Sequence, residues 1–219
     1  MAVLLDSASV DDAAAAAELG FVHGITTNPA LMARETSEPL AHLGRLLAAF
    51  PGGPICYQPT RTSYSDMSDE ARAAAALAPD RVVVKLPATF DAISLAASLA
   101  DGGIRCALTA VYSPAQALLA HEAGCVWVIP YVDRAARHSA GAVVDELAAI
   151  LACLESGTRI LAASLKSGPQ VVDSILRGAH DITAPLAVIR GLAEHPLTES
   201  AVREFAAAWT QERRGDRPA

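Results

Sequence analysis

Lys85 follows Val82-Val83-Val84 and precedes Leu86-Pro87, so a primary amine leaves an apolar run of the kind that forms a strand buried on both faces. A lysine in that place has two readings. It can snorkel its amine to water at the rim of a sheet. Alternatively it is a nucleophile: an amine of ordinary pKa ~10.4 is protonated and unreactive at neutral pH, but burial disfavours the charged form and frees the lone pair. Such an amine attacks a ketone, loses water, and leaves an iminium that draws electrons from the adjacent C–C bond. Other polar residues stand at the ends of apolar runs in the same way: Asp6, Thr26 with Asn28, Gln58, Thr109, Tyr131 and Ser164. One polar residue ending a strand is ordinarily the start of a loop. Seven strand ends in register, with a carboxylate and an amine among them, make a candidate site.

The elements that position these residues are short β-type runs alternating with longer Ala/Leu-rich stretches of helical spacing. The spacing predicts strands over Val3 to Asp6, Val22 to Thr26, Ile55 to Gln58, Val82 to Leu86, Arg105 to Thr109, Val126 to Tyr131, Ile160 to Ser164 and His180 to Thr183. Ser9 with Asp11-Asp12 opens a helix ending near Gly20, Ser113-Pro114 opens one ending at Gly124, and Ser139 leads into Val143 to Leu154. Eight alternations predict an α/β fold of the (β/α)8 TIM-barrel class, in which the strand ends converge on one active face. A doubly wound sheet is the alternative, but no Gly-x-Gly-x-x-Gly turn follows the first strand. No linker divides residues 1–219, which read as one domain with an additional C-terminal helix at 198–212 and a flexible tail at 213–219.

Composition narrows the function classes. The 219 residues carry 24 Asp and Glu against 17 Lys and Arg, a net charge of -7, which argues against a nucleic-acid partner. Hydrophobic residues make up 52% of the chain, with 47 alanines, too apolar for disorder. No apolar run reaches the ~18 residues of a membrane span, and Asp6 comes too early for a signal peptide, so a cytoplasmic protein is expected. Cys56, Cys106, Cys125 and Cys153 are widely spaced and read as reduced core thiols; with no His-x-His or His-Glu-x-x-His arrangement, no metal is expected.

The segments Gly24-Ile25-Thr26-Thr27-Asn28-Pro29, Val84-Lys85-Leu86-Pro87-Ala88-Thr89, Thr109-Ala110-Val111-Tyr112, Pro130-Tyr131-Val132-Asp133-Arg134 and Ile160-Leu161-Ala162-Ala163-Ser164 resemble, in order, the motifs of the small transaldolase family. That family includes transaldolases and fructose-6-phosphate aldolases. His195-Pro196-Leu197-Thr198 with Phe205 and Trp209 is similar to its C-terminal segment, so the resemblance covers nearly the whole chain. It implies a (β/α)8 barrel, an enzyme of carbohydrate metabolism without a cofactor, and Lys85 as the Schiff-base residue. Asp6 matches the carboxylate that exchanges a proton with the substrate hydroxyl, Asn28 a residue bonding substrate hydroxyls, and Thr26 one holding the catalytic water. Arg134 and Ser164 match the phosphate-binding pair, with Lys166 near a position where transaldolases often carry Arg. Taken alone, Arg134 reads as a surface cation. The resemblance also implies a homo-oligomer of ring type, pentamer or decamer, and Phe205 and Trp209 at i, i+4 give the C-terminal helix an apolar face to bury on a neighbour or on its own barrel.

Two positions divide the family's activities, and a third also departs from the transaldolase pattern. Transaldolases usually have Glu, Asn and Phe where this chain has Gln58, Leu108 and Tyr131, and Gln58 and Tyr131 match the aldolases. A Tyr131 hydroxyl sharing a water with Gln58 offers the enamine a proton that Phe cannot. The expectation is a class I aldolase that cleaves a ketose phosphate such as fructose 6-phosphate to dihydroxyacetone and glyceraldehyde 3-phosphate. The alternatives are a transaldolase moving the dihydroxyacetone unit between sugar phosphates and, more remotely, a silent barrel that only binds sugar phosphates. Cys106-Ala107-Leu108, Pro59 and Ile129 depart from the family pattern and bear on the shape of the donor site.

Overall fold

Consecutive β-branched residues such as Val82-Val83-Val84 leave a strand with no face that tolerates water, so the sheet they join must be covered on both sides. The computed structural model describes residues 1–138 and 143–214, the last four by backbone alone. Its first half runs β1 (Val3–Asp6), α1 (Val10–Glu18), β2 (Val22–Thr26), α2 (Pro29–Glu35), α3 (Pro39–Ala49), β3 (Ile55–Tyr57), α4 (Tyr64–Leu77), β4 (Val82–Pro87) and α5 (Phe90–Asp101). Then follow β5 (Cys106–Val111), α6 (Pro114–Glu122), β6 (Trp127–Pro130), α7 (Val132–Arg137), α8 (Val143–Cys153) and β7 (Arg159–Ala162). The chain continues through α9 (Gly168–Leu176), β8 (Asp181–Ala184), α10 (Leu186–Gly191) and α11 (Pro196–Arg214). All strand pairs are parallel and β8 pairs with β1, closing a (β/α)8 barrel in chain order, with α11 as the additional C-terminal helix.

Strand alternation divides the apolar residues into two layers. Leu5, Ile25, Ile55, Tyr57, Val84, Leu86, Leu108, Val128 and Ile160 pack outward against the helices. Leu4, Cys56, Val83, Ala107, Ile129 and Leu161 fill the lumen. The helices lie close because their inward faces are small: Ala13 and Ala16 on α1, Ala71, Ala74 and Ala75 on α4, Ala92 and Ala96 on α5, Ala117 and Ala120 on α6. Backbones also approach at Gly24, where a Cβ would meet the Pro54 carbonyl oxygen at 2.7 Å.

Helix starts follow the expected chemistry. Ser9 caps α1 by accepting from the Asp12 N–H, and Pro114 opens α6. Several strands end one or two residues from their expected positions, β3 at Tyr57, β6 at Pro130 and β7 at Ala162 among them, and four larger details differ from the sequence expectation. Two helices, α2 and α3, fill the β2–β3 crossover, because Pro29 and Pro39 each start one. β5 continues through a bulge at Ala110 (φ 56) to Val111. Cys153 is exposed at the end of α8 and is not a core thiol. α11 runs from Pro196 to Arg214, wider than 198–212. Ser139, the expected helix start, and residues 215–219 of the expected tail lie outside the described residues. No helix among the described residues is long and apolar enough to cross a membrane.

The bottom of the lumen is closed by one carboxylate. Asp181, 1% exposed, accepts from the Ala2 N–H at 2.7 Å, from Trp127 Nε1 at 3.0 Å and from Arg159 Nε at 2.8 Å. Burial opposes its charge, yet the bonds from Arg159, Trp127 and Ala2 outweigh that and hold its carboxyl below the usual range. Beside it His180 Nδ1 accepts from the Ile160 N–H at 3.0 Å, and burial, aided by Arg159, holds the imidazole below its ordinary value. Both depressed values act in one direction. The contribution of His180 is whole above about pH 6.5 and that of Asp181 above about pH 4, and each is lost as pH falls through its folded value. Asp181→Ala is expected to lower stability at pH 7 by about 2 kcal/mol, read from urea midpoints, by removing the charged acceptor that the Ala2 N–H, Trp127 and Arg159 share. The gap from the unsubstituted protein should narrow below pH 4; a gap constant down to pH 3 contradicts this reading.

Candidate active site

At the opposite, C-terminal end of the strands the inward positions become polar. β1 and β2 run in register with Asp6 beside Thr26. Thr26 Oγ1 donates to Asp6 Oδ1 at 2.9 Å and lies 2.7 Å from Thr183 Oγ1. A hydroxyl has one proton to give, so Thr183 donates to Thr26 and Thr26 to the carboxylate. The relay fixes one Asp6 oxygen and leaves the other to face the cavity.

Lys85 lies on β4, two residues above Val83 of the lumen, and is 3% exposed. Among the described residues its amine has no hydrogen-bond or ion-pair partner. A buried amine without a carboxylate against it keeps its nitrogen available for a carbonyl carbon. Below it, Cys56 fills the lumen as a neutral thiol, its pKa pushed by burial up to about 12.

β3 ends at Tyr57, so Gln58 stands one residue beyond the strand. Its Oε1 is buried without a partner. β6 ends at Pro130, and Tyr131 makes a single bridge to Ala163. Thr109 Oγ1 donates to the Tyr131 hydroxyl at 3.3 Å, leaving the phenolic proton free to point elsewhere. Tyr112 packs edge-on against the Tyr131 ring, with centroids 6.3 Å apart and planes at 84°. The Ala110 bulge makes that contact by shifting the register of β5 between Thr109 and Val111.

Asp6, Thr26, Asn28, Gln58, Lys85, Tyr131, Ser164 and Lys166 line one cavity of about 390 Å³, whose wall also includes Pro29, Ala30, Ile129, Ala163 and Thr183. Asn28 has a second duty: its Oδ1 caps α2 by accepting from the Leu31 N–H at 2.9 Å, which leaves Nδ2 to donate into the cavity. Ser164 holds a left-handed backbone (φ 62) just before α9, and the Lys166 N–H is fastened to Gln170 Oε1 at 2.7 Å.

Two expected residues stand apart. Thr109 is buried behind Tyr131 and reaches the cavity through it. Arg134 is exposed on α7 and does not line the wall; its neighbour Asp133 is joined to the Lys166 loop through Gln170 Nε2 at 3.2 Å. Leu108 faces the helix layer, so the lumen-facing residue beneath Thr109 is Ala107. Thr183 escaped the sequence reading, although it follows the same rule as the other seven strand ends.

Among the described residues no group of three or more His, Cys, Asp or Glu is placed to hold a metal ion. A cavity pairing an unpartnered amine with a relay-fixed carboxylate and hydroxyl donors suits carbonyl chemistry on a small polyhydroxylated molecule.

The comparisons agree with this geometry. The family model for transaldolase/fructose-6-phosphate aldolase matches residues 3–216. A probable transaldolase of Chlorobium phaeobacteroides is 36% identical over 215 residues, covering 94% of each chain. Probable transaldolase 1 of Bacillus cereus is 35% identical over 217 residues, covering 97% of this chain and 100% of its own. A probable transaldolase of Symbiobacterium thermophilum is 35% identical over 211 residues, covering 95% of this chain and 97% of its own. With a closed barrel, a buried lysine on β4 and matches over nearly its full length, the chain belongs to the transaldolase/fructose-6-phosphate aldolase family.

Proposed function

We propose that the protein is a class I aldolase that cleaves a ketose phosphate such as fructose 6-phosphate through an imine on Lys85, without a cofactor. The observation that carries this reading is the Lys85 amine, buried and unpaired on a cavity wall shared with Asp6 and Tyr131. The amine adds to the C2 ketone, and the carbinolamine loses water to give the iminium. As the C3–C4 bond breaks, its electron pair moves toward the iminium and Asp6 takes the proton of the C4 hydroxyl, releasing glyceraldehyde 3-phosphate. The enamine left on Lys85 then takes a proton at C3 from a water polarised by Tyr131 and Gln58. Hydrolysis frees dihydroxyacetone and restores the amine. Thr26 helps hold the same water, Thr109 orients the Tyr131 hydroxyl, and the Asn28 amide donates to substrate hydroxyls.

The phosphate end fits the rim where Ser164, Lys166 and the N-terminus of α9 meet, since the Lys166 charge and the helix dipole favour an anion there. Arg134 reaches that rim by swinging from its exposed position on α7. On a chain of net charge -7 the anion is held locally.

The relatives named probable transaldolases favour a second reading, transaldolase, in which the enamine waits for an acceptor aldehyde. Fructose 6-phosphate incubated with the protein alone separates the two. The aldolase reading expects glyceraldehyde 3-phosphate to appear without an acceptor; turnover only after erythrose 4-phosphate is added contradicts it. Tyr131→Phe should lower free release relative to transfer by about 100-fold, the size of one proton-transfer contribution. An unchanged ratio removes Tyr131 from the proton route.

We also propose that α11 supports a ring-type homo-oligomer, because Leu197, Val202, Phe205 and Trp209 are each at least 60% exposed along it. Light scattering should show a closed oligomer for residues 1–219 and smaller species for a chain ending at 195. A monomer at full length contradicts the proposal.

A further inference from the structure

Gln58 sits where the chain leaves β3, and among the described residues neither atom of its side-chain amide has a protein partner. Its aim is set by its backbone alone. One carboxylate holds both flanks, through the Tyr57 side chain on one side and the Thr60 and Arg61 backbone on the other. Glu70, in the second turn of α4, accepts the Tyr57 hydroxyl at 2.5 Å and the Thr60 N–H at 2.9 Å on Oε1. Thr60 Oγ1 adds a bond to the same oxygen at 3.1 Å, and the Arg61 N–H reaches Oε2 at 3.1 Å. Tyr57 is fully buried in the sheet–helix layer, pointing away from the lumen, while Gln58 faces the cavity. α4 is seated on the barrel by Met67, Ala71 and Ala74, so Glu70 is a fixed point. Burial, then the bond to Glu70, pushes the Tyr57 phenol up, so it stays a donor at any working pH.

From these contacts we infer that Glu70 is a positioning residue for Gln58: by clamping Tyr57, Thr60 and Arg61 it aims the Gln58 amide at the water that protonates the enamine, and so favours release over transfer. The inference rests on the aldolase reading. Charge-assisted bonds from four donors hold the loop more firmly than neutral ones would, and a displacement of about 1 Å at a catalytic group is enough to cost ~100-fold in rate. Glu70 itself does not line the active cavity.

The test measures the ratio of free dihydroxyacetone release to transfer onto erythrose 4-phosphate, starting from fructose 6-phosphate. Glu70→Ala should lower this ratio at least about 10-fold, in the direction of Gln58→Ala. The double substitution should be no lower than Gln58→Ala alone, because both act through one amide. Glu70→Gln keeps a carbonyl oxygen for Tyr57 and Thr60 and should recover most of the ratio. A Glu70→Ala ratio equal to that of the unsubstituted protein, while Gln58→Ala lowers it, overturns the inference and leaves the aldolase reading standing. So does a Glu70→Ala protein that loses release and transfer equally, since that reports general damage. If the unsubstituted protein releases no dihydroxyacetone, the aldolase reading fails and the inference fails with it.

Discussion

In a closed barrel each strand alternates its side chains between lumen and helix layer, and the closure leaves no edge at which a residue can escape that choice. The strand-borne part of the site follows from this two-residue period. Val83 and Lys85 must both face the lumen, as must Leu4 and Asp6, and Ala107 and Thr109. An apolar layer therefore lies directly beneath a polar one. The amine of Lys85 stands above Cys56, Val83 and Ala107, none of which offers it a charge partner, while the lumen's ion pair, Arg159–Asp181, is kept at the far end. Placing the ion pair at one end and the unpaired amine at the other lets the barrel hold both without their neutralising each other.

Two hydroxyl relays organise the polar layer. Thr183 and Thr26 feed Asp6 from β8 and β2, and Thr109 feeds Tyr131 from β5. Each ends on a group that lines the cavity: in the proposed reaction the carboxylate accepts a proton and the phenol polarises the water that supplies one. Neighbouring strands supply these pairs, so the parallel register does the aiming. Loops supply the rest. Asn28 is fixed by capping α2, Ser164 by its left-handed backbone before α9, and Gln58 by the clamp on its flanks.

Much of this was legible in the sequence because it depends on local period. The eight strands, the convergence of their ends and the burial of Lys85 all follow from apolar runs and their spacing. Where the expectation and the structure part, the cause is geometry that a run of letters does not carry. Leu108 matches by resemblance a position where transaldolases usually carry Asn, but it faces the helix layer, because adjacent residues on a strand face opposite ways. Thr109 itself lies one side chain back from the cavity, behind Tyr131. Arg134 is exposed on α7 and is not among the residues that line the cavity, because the helix that follows Tyr131 sets its direction and the sequence does not show that helix's orientation. Thr183 needed only the strand-end rule applied once more. Glu70 gave no signal at all, because its partners are backbone N–H groups and a tyrosine 13 residues away.

The claim on which the rest depends is that Lys85 forms an imine with a ketose. Borohydride added to the protein with fructose 6-phosphate, followed by peptide mass measurement, tests it directly. A reduced sugar adduct confined to the peptide carrying Lys85, and absent from Lys85→Met, is the predicted result. No adduct, or one that survives in Lys85→Met, would contradict it.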